Sequence, residues 1–250
     1  MSTLTHNWFR AAAMAVAPVV FLAVFLYHPY LAGAAPGPET VARAVEADPT
    51  RWAAAHLATI GAVALFVLAF QGLRGLLRDA GEQLWSFFAF PLVIVSGVLV
   101  AATAGMRLTA AAATQTGVAP LALVEAVRPW ALTLLVGGSV AFLLGALAFA
   151  AGTFRAGIMG RTMTIVVTVA LVVMGLAAEL PFFAAYYVIA VAGIVAFWPL
   201  AWTAVRAGMA ADAESGTEEG DGPTAPRPRA AQEHRGGFRS LGRRRPHAHH

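Results

Sequence analysis

From Trp52 to Gly72 the chain runs 21 residues without a formal charge, and this run limits what the protein can be. A helix rises ~1.5 Å per residue, so the run covers about 30 Å, the thickness of a bilayer's hydrocarbon layer. In lipid a lone segment satisfies its backbone N–H and C=O groups only as a helix. Trp52 stands where an interfacial aromatic belongs, and Arg74 and Arg78 follow the far end. The polar residues inside are His56, Thr59 and Gln71. At ~100° per residue all three fall within about a third of the helix circumference. Ala54, Ala58 and Ala62 repeat at i+4, a seam where a neighbouring helix can come close.

The same pattern recurs along the chain. Hydrophobic residues make up 59% and charged residues only 12%, about half the charge of an ordinary soluble domain. The expected fold is an all-α integral membrane protein with six transmembrane helices in one bundle. The spans fall at about 9–31, 52–73, 85–106, 130–151, 162–179 and 183–205. The first span continues into Tyr27-His28-Pro29-Tyr30 without a signal-cleavage pattern. Residues 32–51 form one long loop, in which Glu39 to Ala47 make a short surface helix, and residues 108–129 form a second, in which the alanine run can extend the third span past the membrane and Leu121–Val127 can form a half-buried interfacial helix. In the fourth span Gly137, Ala141 and Gly145 repeat at i+4, a close-packing face suited to a homo-oligomer or a membrane partner. Residues 207–250 are small, polar and charged, a composition that predicts a disordered cytoplasmic tail.

Six spans put both termini on one side. That side carries Arg10, Arg74, Arg78, Arg155, Arg161 and Arg206, and the tail adds seven more arginines; the other side has Arg43, Arg51, Arg107 and Arg128. The positive-inside rule then predicts N-in and C-in, in a bacterial plasma membrane. All six tryptophans fall at expected helix ends. The arginines are spread over helix ends and the tail, so the net charge of +4 points to no nucleic-acid partner. The tail's arginines suit contact with anionic lipid.

There is no cysteine, which excludes disulfides, thiolate metal sites, cysteine nucleophiles and c-type haem attachment. No phosphate-binding glycine loop or nucleophile elbow is present. The expected topology instead brings scattered polar residues to one level: His28, His56, Glu179 and Tyr186. Ionisable residues inside spans are costly, which makes this level the candidate ligand or proton site. Two histidines and a carboxylate match metal chemistry in type, with His28 and His56 as candidate metal ligands, but no ligand pair shares a turn. The bland alternative is a pair of interfacial histidines bonded to water or neighbouring helices. On the fifth span Thr164, Thr168, Gly175 and Glu179 form one stripe, expected to face the bundle.

At the second span the pattern D-P-x-R-W-x3-H-L is present as Asp48-Pro49-Thr50-Arg51-Trp52, then His56-Leu57. An apolar span follows and ends Gly72-Leu73 to Arg78; His28-Pro29 closes the first span. The chain here resembles a broad group of multi-pass bacterial membrane proteins common in GC-rich genomes. The resemblance covers roughly residues 10–110. It implies a bundle of six or seven spans, with no activity and so no catalytic residue to transfer. The functional expectation is a non-enzymatic membrane partner or small-ligand-binding module with an outward-facing polar pocket and an unknown cofactor requirement. A transporter of a small or lipophilic molecule, and a membrane-embedded enzyme or haem or metal redox protein, are the alternatives.

Overall fold

The computed structural model describes residues 3–29, 31 and 36–218, with side chains between 7 and 210. Every regular element among them is a helix: α1 (Thr3–Tyr27), α2 (Pro38–Ala47), α3 (Pro49–Asp79), α4 (Leu84–Thr116), α5 (Pro120–Ala156), α6 (Arg161–Ala177) and α7 (Ala185–Glu218). Five of them, α1, α3, α4, α5 and α7, are long and apolar enough to cross a membrane. The sixth apolar helix, α6, has 17 residues, about 25 Å of rise.

The six apolar helices close into a ring. α1 packs on α3, α3 on α4, α4 on α5, α5 on α6, α6 on α7, and α7 back on α1. α2 lies against α3, α4 and α5 and defines the α2 end of the bundle. The core is aromatic at its centre: Phe66 meets Phe21 and Phe197 edge to face, and Phe70 meets Phe197 in the same way. A smaller cluster of Leu31, Val45, Trp52, Ala110, Ala111 and Val124 holds α2 to the bundle.

Local chemistry sets the boundaries. Pro29 disfavours helical backbone at His28, so α1 stops at Tyr27, four residues short of the expected Leu31. The freed Tyr27 carbonyl accepts a hydrogen bond from Arg51 Nε at 2.9 Å. Asp48 caps α3 by accepting from the Arg51 backbone N–H at 2.8 Å, with Pro49 at the first helical position.

The segment 108–129, expected as a long loop whose alanine run could extend the third span and whose Leu121–Val127 could be helical, is helical almost throughout. Its alanine run has the highest helix propensity, so α4 continues to Thr116 and ends on Gly117 at φ 71°, a left-handed value that suits glycine. Only residues 117–119 separate α4 from α5. At the other terminus α7 runs on to Glu218, so the boundary expected at 206–207 falls inside a helix. The basic part of the tail and its lipid contact lie outside the described residues.

Side-chain orientation corrects three further expectations. Trp52, expected as an outward-turned interfacial aromatic, is instead fully buried among the helices. Ala54 and Gln71 are exposed, while Ala55, Ala62, Phe66 and Ala69 face inward, so the inner face of α3 is rotated from the expected seam. On α5, Gly137 is exposed, and Gly138, Ala141, Gly145 and Gly152 make the close face. That face is occupied within the chain: a Cβ on Gly145 would stand 3.0 Å from Val93 Cγ2 and 3.2 Å from the Ala89 carbonyl.

Candidate functional site

At the α2 end, α1, α3, α4 and α7 bring His28, His56, Thr59, Thr103, Arg107 and Tyr186 around one small chamber of about 60 Å³. The two histidine rings stand 4.9 Å apart, edge on. Each is pinned by its own chain. His28 Nδ1 lies 2.9 Å from the Pro29 carbonyl, and His56 Nδ1 lies 2.8 Å from the Trp52 carbonyl. A carbonyl oxygen can only accept, so each Nδ1 carries a proton. In the neutral form both Nε2 atoms then keep a lone pair. His28 and His56 are 5% and 3% exposed.

Packing holds this geometry. Trp52 lies against both histidine rings and donates from Nε1 to the Arg107 carbonyl at 2.9 Å, which fixes α4 to α3 at this level. Phe183 packs on His28, and Tyr186 stacks on Phe25. The Tyr187 hydroxyl donates to the Phe25 carbonyl at 3.1 Å, tying α7 to the end of α1. Thr59 and Thr103 line the chamber, and their hydroxyls donate to carbonyls four residues back, at 2.8 and 2.9 Å. Burial lowers the pKa of His28, which lies just past its span; the Pro29 carbonyl opposes this, and Arg107 and Arg51 lower it further.

The chamber adjoins a larger cavity of about 330 Å³, with Arg107, Tyr186, Phe183, Leu135, Val100 and Phe21 lining both. Valine, leucine and phenylalanine side chains from α3, α4 and α5 dominate its depth, with Phe66 and Phe142 on its walls. Arg107, Arg128 and Glu179 are its charged residues. Leu132, Val136, Leu180 and Phe182 line it and are also exposed, so it opens between α5 and the turn joining α6 to α7.

The structure therefore brings together His28, His56 and Tyr186 and leaves Glu179 apart. α6 ends at Ala177, which puts Glu179 in the turn, exposed, on the large cavity alone. Of its expected stripe, Thr164 and Gly175 are buried. Tyr30, expected to flank His28, lies outside the described residues. Two residues of the site are not evident from the sequence: Trp52 has the look of a membrane anchor, and Arg107 that of a helix-end charge. They join the site only once α3 and α4 are packed, when the Trp52 indole reaches the Arg107 carbonyl.

Among the described residues no group of three or more histidines, cysteines or carboxylates could hold a metal ion. No family model matches the sequence, and neither curated proteins nor solved structures give a match to it.

Proposed function

We propose that this protein is a six-span membrane protein, N-in and C-in in a bacterial plasma membrane, that binds a lipophilic small molecule without transforming it. α6 is the sixth crossing, short by a few residues and completing the ring. The arginine bias assigns the α2 end to the outer face. The observation that carries the binding function is the cavity: about 330 Å³ of mainly apolar space joined to a polar chamber. Ligand sites combine apolar walls with a few convergent polar groups in this way. The opening beside Leu132, Val136 and Phe182 gives a lipophilic ligand a route from the membrane.

The test is organic extraction and mass spectrometry of the protein purified in lipid nanodiscs, beside a Ser139→Phe variant that fills the cavity from α5. Co-purification of one molecule with the wild type and its loss from the variant supports binding. An identical lipid profile in both rules the cavity out as its site. A second reading rests on the two free Nε2 atoms: a metal ion between His28 and His56. Elemental analysis and an absorption spectrum of wild type and a His28→Ala/His56→Ala variant decide it; stoichiometric metal lost in the variant establishes that reading, and none in either removes it.

A further inference from the structure

We infer that the ligand of this cavity is a single-chain anionic amphiphile, with a carboxylate or phosphate-monoester head group held by Arg107 and Arg128 at the α2 end. The inference rests on the cavity being a binding site, as proposed above, and adds the chemistry of the head group.

The two main walls carry the same pattern in opposite directions. On α4 the lining runs from Arg107 back to Val93; on α5 it runs from Arg128 on to Phe142. Both intervals are 14 residues, about 21 Å of helix, and no charged residue lies between. α4 and α5 are antiparallel neighbours joined by a short turn, so both arginines stand at one end and both apolar stretches descend from it. The result is a shaft with two guanidinium groups at its mouth.

Among the described residues neither guanidinium has a hydrogen-bond or ion-pair partner. The ion pair found among the described residues is Arg10–Asp79, at the opposite end. Arg107 contributes to packing through its carbonyl, which accepts from Trp52, while no described carboxylate or carbonyl takes its side chain. Arg128 likewise has no acid partner there, although Glu179 lines the same cavity. Arg107 is half-buried and Arg128 exposed. A half-buried arginine left unpaired at an apolar shaft is a costly arrangement that an oxyanion relieves, and the planar guanidinium fork matches carboxylate and phosphate oxygens two at a time. Tyr186 lines the same space, and its hydroxyl has no partner among the described residues. The pinned histidines present lone pairs instead, so they favour water or a donor beside the head group, and the arginines carry the anion.

Glu179 works against an anion, being an exposed acid on the same rim. With two arginines opposite it the mouth is still net positive by one.

The experiment uses the full chain in nanodiscs of zwitterionic lipid and a dansyl-labelled undecanoic acid as fluorescent probe. Dodecanoate, dodecyl phosphate, dodecanol, dodecyltrimethylammonium and inorganic phosphate compete in separate titrations. The expected result is displacement by both anionic chains, at least tenfold weaker displacement by dodecanol and by the cation, and none by inorganic phosphate. Arg107→Gln weakens the probe at least tenfold, and Arg107→Lys recovers part of it. The Trp52 hydrogen bond is to a backbone atom and survives these changes, and a melting curve verifies the fold. Glu179→Gln leaves probe binding unchanged or tightens it. Equal displacement by dodecanol and dodecanoate, with no effect of Arg107→Gln, overturns the anionic head group while keeping the cavity. Displacement by inorganic phosphate alone overturns the amphiphile in favour of a free anion. Probe binding that survives Ser139→Phe, or no binding at all, overturns the cavity reading and this inference with it.

Discussion

Trp52 and Trp130 look alike in the sequence, each at the start of an apolar run after an arginine or a proline. Their surroundings differ: Trp52 is fully buried and bonded to the Arg107 carbonyl, and Trp130 is 69% exposed. Trp52→Phe should therefore lose a buried hydrogen bond worth about 1 kcal/mol, and Trp52→Ala about 3–5 kcal/mol, whereas Trp130→Phe should stay within about 0.5 kcal/mol. Unfolding by sodium dodecyl sulfate measures all three; equal losses at the two sites would put Trp52 back at the interface. His28 gives a pH dependence. Burial keeps its folded pKa below the ordinary 6.5, so the unfolded chain takes up its proton first as pH falls. Its share of stability is complete above pH 6.5 and is lost below it. His28→Asn keeps a donor near the Pro29 carbonyl and cannot titrate. The wild type should lose more melting temperature than His28→Asn between pH 8 and pH 5, and parallel curves would refute the buried neutral histidine. Residue type alone makes His28 and His56 visible in the sequence, because ionisable groups stand out in apolar runs. Arg107 does not stand out, since an arginine after an apolar run is what any span shows.

Helices are legible in the sequence where charge-free runs match the bilayer's thickness, and less so where they outlast it. Lipid thickness alone would end α4 at Met106 and begin α5 at Trp130. Alanine propensity carries α4 ten residues further, and Pro120 starts α5 ten residues earlier. The close face of α5 is legible in kind but off by one residue, because Gly137 and Gly138 are adjacent and only α4 decides between them. Gly145→Ile tests that packing: Val93 and the Ala89 carbonyl leave no room, and overpacking should cost about 1–3 kcal/mol. Gly105→Ala, where nothing stands within 4 Å of a new Cβ, should instead stabilise by roughly 0.5–1 kcal/mol through helix propensity. A Gly145→Ile variant as stable as the wild type would show that α4 and α5 do not meet there.

For the whole molecule, the decisive question is whether α6 crosses. Accessibility labelling of single cysteines at Gly160 and Pro181, in a chain with no cysteine of its own, should report opposite faces of the membrane, with Gly160 cytoplasmic. The same face for both would leave five crossings and separate the termini. The all-helical fold class and the five long apolar helices can be read from hydropathy, but the span expected at 162–179 is the shorter helix α6, and the ring is not legible at all, because hydropathy ranks segments by how apolar they are and says nothing about their neighbours. The ring is closed by its first and last members. Gly193 of α7 lets Pro18 of α1 approach, so close that a Cβ on Gly193 would stand 3.1 Å from the proline Cβ. Trp198 donates to the Ala15 carbonyl at 3.2 Å. These partners are about 180 residues apart in a chain made from one end. During synthesis α1 must wait beside the growing protein with one flank unmatched until the last helix leaves the ribosome. A truncation before α7 should therefore deliver α1 to quality-control proteases or to a chaperone of the insertion machinery, while a separately expressed α7 should restore it.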